Sequence, residues 1–304
     1  VLLRRLEYDR VNARADRLLY VPPSVIPVAK SIRASRRIGE TLKISFSKYS
    51  AFLQNPERFR LYYMLGLSPE GADTPSNFNY GRRRGSCFHA IQEARAKGVR
   101  DSVITEHKFD QALYERCVKL VEAVPGFGNV LVSEKEFELP IGDGKHSITG
   151  RIDHIVDDAG VIRVGDFKTT KKRTKFEMQQ YFGDLVTSSQ SHFYVFAAAA
   201  LGYETDQFLY HVCIDEKDKP KHIPLDVRVT KLEVTRTMRH VYAACEAIEG
   251  LIERVGIDNP WPHSNHFPCA GDRFFCGYSA ICGRTLPKGA APQGFITKYP
   301  EENK

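Results

Sequence analysis

Two periodicities take turns along the chain, and their order predicts a mixed α/β architecture. Residues 1–20 set apolar side chains at roughly helical spacing between Arg4, Arg5, Arg10, Arg14 and Arg17, the pattern of a basic amphipathic helix. The Pro-rich "VPPSVIP" breaks that pattern, so residues 1–40 read as a helical arm and linker. In "SFSKYSAFLQNPERFRLYYMLGL", Ser45 or Ser47 is placed to cap a helix that buries Tyr49, Phe52 and Leu53. Residues 71–80 read as loop. "RRRGSCFHAIQEARAKG" predicts a helix with His89 in its first turns and Gly98 at its close, and another helix is expected over 107–123.

The period then falls to two. "VLVSEKEFELPI", the turn "GDGK", "HSITGRIDHIVDD", the turn "DAG" and "VIRVGDFKT" predict a three-stranded antiparallel meander. One or two helices over 176–201 end at Gly202. Two further strands, "DQFLYHVCID" and "KHIPLDVRV", precede a long helix over 230–255. The last 45 residues are irregular and rich in Pro, Gly and Cys. The expected organisation is an arm and linker over 1–40, one domain over 41–290, and a tail over 291–304.

Composition changes this picture little. Hydrophobic residues make up 42% and charged residues 27% of 304, the range of a soluble globular protein with a substantial core. The longest apolar run, Val195 to Leu201, is far too short to span a bilayer, and no secretory signal is seen, so no membrane role is expected. A net charge of +7 mildly favours a polyanionic partner. The seven cysteines, an odd number, fit a reducing compartment better than a disulfide framework.

Candidate chemistry gathers on the second hairpin of the meander. Its turn centres near Asp158–Ala159, and folding it back brings Asp153 close to Gly165 and Asp166. Asp166 and Lys168, two apart on one strand, point to the same face. Two carboxylates are hard ligands for Mg2+ or Mn2+, which polarise a phosphoryl oxygen and acidify bound water. A neighbouring lysine orients the nucleophile or stabilises developing negative charge. The same tripeptide also suits a surface ion pair worth about 0–1 kcal/mol, and the pattern alone does not choose between the two.

"GRIDHIVDD…VIRVGDFKT" resembles the core signature of the PD-(D/E)xK nuclease superfamily, and in particular its RecB-like exonuclease branch. Upstream, "RGSCFHAIQE" resembles the branch's metal-histidine helix; downstream, "QSHFY" is similar to its Q-x-x-x-Y motif. The resemblance spans roughly residues 45–285 and implies a restriction-endonuclease-like core, a mainly antiparallel meander sheet flanked by helices. It implies His89, Asp153, Asp166 and the Phe167 carbonyl as metal ligands and Lys168 as the catalytic lysine. Gln190 and Tyr194, one helical turn apart, would line the site. By helix spacing, Glu93, one turn after His89, shares its face and could support the site or simply face solvent. Glu134 and Glu136 lie on the first meander strand; either could face the site, though a solvated strand edge is the plainer reading.

Arg82, Arg83 and Arg84 before the His89 helix, and Lys171, Lys172, Arg173 and Lys175 after the lysine strand, flank this site in sequence. They suit contacts with backbone phosphates, or simply a solvated face. Tyr62, Tyr63, Phe78 and Tyr80 suit either stacking on unpaired bases or packing.

Many RecB-like nucleases end in C-x-x-C-x5-C and hold a [4Fe–4S] cluster. Here Cys276 and Cys282 keep the x5 spacing, but Arg273 stands three before Cys276, and Asn55 stands where an upstream Cys precedes Pro. No iron–sulfur cluster is expected. A zinc site using Cys269, Cys276, Cys282 and His263 or His266 is a lesser alternative. The implied function is a metal-dependent DNA exonuclease of recombination or repair, in the cytoplasm of a bacterial or phage-infected cell. It would prefer linear DNA with free ends. With no G-x-x-x-x-G-K-[ST] loop, any helicase or recombination partner is a separate chain. A structure-specific or CRISPR-adaptation endonuclease, and a non-catalytic DNA-binding module, are the alternatives.

Overall fold

The computed structural model describes residues 42–69, 77–96, 98, 109–126, 128–171, 174–216, 219–262, 278, 281–286 and 291–297. The expected N-terminal arm, Lys172, Arg173, Cys269, Cys276, His263 and His266 lie outside them.

Six strands form one mixed sheet: β1 (Leu42–Ser45), β3 (Asn129–Ile141), β4 (His146–Asp158), β5 (Val161–Thr170), β6 (Gln207–Ile214) and β7 (Lys221–Arg228). The meander is present, with β3–β4 and β4–β5 antiparallel. The sheet is mainly antiparallel, as the sequence suggests, since β6–β7 is antiparallel too, while β1–β4 and β5–β6 are parallel. The second parallel pair follows from the helices between β5 and β6, which carry the chain back to the starting end of the sheet. Those helices are α5 (Lys175–Val186) and α6 (Ser189–Ala200).

Helices cover both faces. α3 (Asn77–Ala96) and α4 (Gln111–Glu122) pack Phe88, Ile91, Leu113 and Leu120 against Phe167 and Cys213. On the other face, α1 (Phe46–Gln54), α6 and α7 (Lys231–Arg254) enclose the larger core of Ile148, Ile152, Val164, Phe193, Phe208, Tyr210 and Val241. Phe193 and Phe208 are almost wholly buried, a gain of about 1.5–3 kcal/mol each. Local chemistry sets the helix starts. Ser45 caps α1, and Thr174 with Glu177 and Thr230 with Glu233 form reciprocal capping boxes on α5 and α7.

Asn55 has a role of its own: its side chain accepts from the Arg58 backbone N–H at 3.0 Å and caps the short helix α2 (Pro56–Phe59). A π-helical turn, Arg60–Met64, then leads to strand β2 (Leu67–Pro69). The tail expected from residue 291 is partly structured. β8 (Phe295–Thr297) pairs antiparallel with β2, and Phe295 is buried with Leu61, Leu65, Tyr278 and Ile281.

Candidate active site

The site lies where two strands part. β4 pairs with β5 only from His154 opposite Gly165 onward to the turn, while its other end, His146–Thr149, pairs with β1. Residues 150–153 of β4 therefore face a gap between β1 and β5, and Asp153 and Asp166 flank the fork. Gly165 is required there, since a Cβ would lie 1.8 Å from His154 Nε2. Ala159 and Gly160, both at positive φ, make the tight turn that sets this register.

Alternation along β5 sends Asp166 and Lys168 to one face and Phe167 to the other. Lys168 Nζ is 2.5 Å from Asp166 Oδ2. Gln190, from the first turn of α6, donates from Nε2 to Asp166 Oδ1 at 2.9 Å. The Phe167 backbone N–H donates to Asp153 Oδ2 at 2.9 Å, and His89 Nδ1 of α3 lies 3.6 Å from the same oxygen. Burial and the Asp166 charge push the Asp153 carboxyl up to about 6, against the opposing pull of His89, the Phe167 N–H and Lys168.

Aromatic hydroxyls close the Asp166 side. Burial first, then Asp166, holds the Tyr194 hydroxyl above its usual range, and the same two causes push Tyr181 up to about 12. Tyr194 stacks on Phe208 and meets Phe137 edge-on, so it is both a core residue and a wall of the site. Tyr210 lies below Lys168, whose Nζ is 5.8 Å from the ring centroid. On the far side, Phe167 packs against His154 and His211, and burial lowers His154 to about 4.

The remaining sequence candidates divide. Arg82 donates to the Tyr62 hydroxyl at 3.0 Å, Arg83 pairs with Asp110 at 3.3 Å, and Lys171 Nζ sits 3.7 Å from the Tyr80 ring centroid. Lys175 is exposed at the start of α5. Arg84, grouped with the surface cations by sequence, turns inward: it is buried and pairs with Asp215, which Arg116 also contacts. That corrects its reading as a phosphate contact, because its guanidinium is already held by a buried carboxylate.

Glu134 is the residue sequence reasoning undervalued. Its ligand oxygen, His89 and Asp153 all lie within 4.8 Å of one another. A signal for it existed: with Ile141 opposite His146 across "GDGK", Glu134 falls opposite Asp153. Arg151, also unremarked, contacts Glu134 at 2.8 Å and Glu93 at 3.6 Å.

This set of one imidazole and several carboxylates suits a hard divalent cation. No curated protein matches this chain in sequence. Among solved structures, it is similar to a protein from Eubacterium rectale described provisionally as an exonuclease. That match has 13% identity and a TM-score of 0.46, covering 76% of this chain and 88% of that one. It is also similar to the protein SSO0001, at 14% identity and a TM-score of 0.37, covering 83% of this chain and 90% of that one. The family model of the PD-(D/E)XK nuclease superfamily matches residues 43–283, most of the chain and every site residue above. With that match and a carboxylate pair and lysine meeting at the strand fork, the chain belongs to the PD-(D/E)XK nuclease superfamily.

Proposed function

We propose that this nuclease is a divalent-metal-dependent deoxyribonuclease of the RecB-like branch, acting from the free ends of linear DNA. The observation that carries the reading is the meeting of Asp153, Asp166 and Lys168 at the fork, with Gln190 bonded to Asp166. His89, Asp153, Asp166 and the Phe167 carbonyl would hold Mg2+ or Mn2+. When bound, the cation polarises the scissile phosphoryl group and acidifies a nearby water.

The chain's own side chains do the rest. The Lys168 ammonium stands beside Asp166, where it would hold the attacking water or the charge that develops on phosphate. Gln190 fixes the rotamer of Asp166, and the Tyr194 hydroxyl is hydrogen-bonded to Gln190 in turn. Arg82, Arg83, Lys171, Lys172, Arg173 and Lys175 would bind backbone phosphates and read no bases. A place in DNA recombination or repair beside a separate helicase, in a bacterial or phage-infected cytoplasm, is the role this chemistry suits.

Degradation of end-labelled linear and covalently closed circular DNA, with Mg2+, Mn2+ or chelator, tests the reading. Linear DNA should be degraded, circles spared, and chelator should stop the reaction. Asp166→Asn and Lys168→Ala should each lose about a hundredfold or more in rate. Unchanged rates in both variants would remove the site assignment, and cutting of circles would make the enzyme an endonuclease.

A further inference from the structure

We propose that Glu134 is a further ligand of the divalent cation, closing the site from the β3 side together with His89 and Asp153. The proposal rests on the metal-nuclease reading above. It concerns a strand that this reading does not otherwise use.

Three observations converge. First, β3 and β4 pair on either side of this point, Ser133 with His154 and Lys135 with Ile152, and Glu134 falls between them opposite Asp153. Glu134 takes a φ of 48° here, uncommon for a residue other than glycine. Second, its carboxylate is only 7% exposed, although Ser133 and Lys135 on either side face solvent. A carboxylate is kept from water only where charge or hydrogen bonds compensate it. Third, its ligand oxygen lies within 4.8 Å of both the His89 nitrogen and the Asp153 oxygen. A six-coordinate ion with bonds of about 2.1 Å holds its donors about 3.0 to 4.2 Å apart. Small side-chain rotations bring these three into that range.

Charge supports the assignment. Asp153, Asp166 and Glu93 stand against Lys168 and Arg151, an excess of one carboxylate. Glu134 makes it four carboxylates against two basic groups and deepens the attraction for a cation. Arg151 meets Glu134 through Nε at 2.8 Å. This contact does not preclude ligation, since a carboxylate offers two oxygens and about four lone-pair sites. Arg151 then competes with the cation for Glu134, and is 43% exposed, free to swing away.

The competing role, a counter-ion that merely holds Arg151, predicts a different pattern. Mn2+ binding to the metal-free full chain is measured by titration calorimetry and by electron paramagnetic resonance of free Mn2+. Circular dichroism confirms the fold of each variant. Glu134→Gln is expected to weaken Mn2+ binding at least tenfold, and Arg151→Gln to tighten it a few-fold. Mn2+ binding within twofold of normal in Glu134→Gln would overturn the proposal. So would an Arg151→Gln variant weakened as much as Glu134→Gln, because the pair would then be structural. Asp153→Asn separates this proposal from the reading beneath it. If Asp153→Asn loses Mn2+ and Glu134→Gln keeps it, only Glu134 is misassigned; if neither changes binding, the metal site itself is misplaced.

Discussion

At Asp153, burial and the Asp166 charge favour the proton, while His89, the Phe167 N–H and Lys168 oppose it. The folded-state value of about 6 lies above the ordinary 3.8. Between these two values the folded protein binds more protons than the unfolded chain, so stability falls as pH rises across that window. Above it, the metal-free fold holds a buried charge that it does not welcome. Asp153→Asn keeps the oxygen that accepts from Phe167 and removes that charge. In chelator at pH 8 it should stabilise the protein by about 1–3 kcal/mol, and at pH 3.5 by almost nothing, as read from urea unfolding. Equal stability of the two proteins at pH 8 would contradict this account. Alternation made the shared face of Asp166 and Lys168 legible in the sequence, and hairpin counting brought Asp153 to them. The hydrogen bond from Gln190 was not legible, since it depends on where α6 docks. Nor was the inward turn of Arg84, which needs Asp215 at the far end of β6.

Among the elements, the long ones match their expected spans within a few residues, because ten or more residues display a period; the exception is α3, which starts at Asn77 inside the stretch 71–80 that reads as loop. β1, β2 and β8 were not predicted: three or four residues show no period, and each exists because a partner strand is already in place. The C-terminal segment is held by another tertiary device. Arg60 and Glu57, both fully buried, form a bidentate pair with bonds of 2.7 and 2.8 Å. Arg60 also donates to the carbonyls of Ile257 and Arg284, and Glu57 accepts from the N–H groups of Trp261 and Gly283. One ion pair thus ties the π-helical turn to chain some 200 residues away. Arg60→Met would leave Glu57 buried without its cation and two carbonyls without donors. Chemical denaturation should show a loss of about 3–5 kcal/mol; a loss under 1 kcal/mol would mean that the segment is held elsewhere.

For the whole molecule, the excess of seven positive charges gains meaning from placement. Lys171 comes directly after the lysine strand and Lys175 opens α5, so both lie close in sequence to Lys168. Each neutralised phosphate contributes about 0.7–0.9 to the dependence of log affinity on log salt. Lys171→Ala and Lys175→Ala should each reduce that slope by about that amount, with equal effect on DNA of any sequence. Titration of labelled DNA at several salt concentrations, in chelator to prevent cleavage, reads this directly; unchanged slopes would take DNA off this path. Among the described residues no helix is long and apolar enough to cross a membrane. Sequence by itself determined the α/β class, the meander, the family resemblance and the grouping of Asp153, Asp166 and Lys168, because these rest on spacing along one or two adjacent strands. Only the tertiary structure decided that β1–β4 and β5–β6 are parallel, that Arg84 is internal and that Glu134 reaches the site. Those outcomes depend on strand partners, helix docking and one left-handed backbone angle, none of which local spacing encodes.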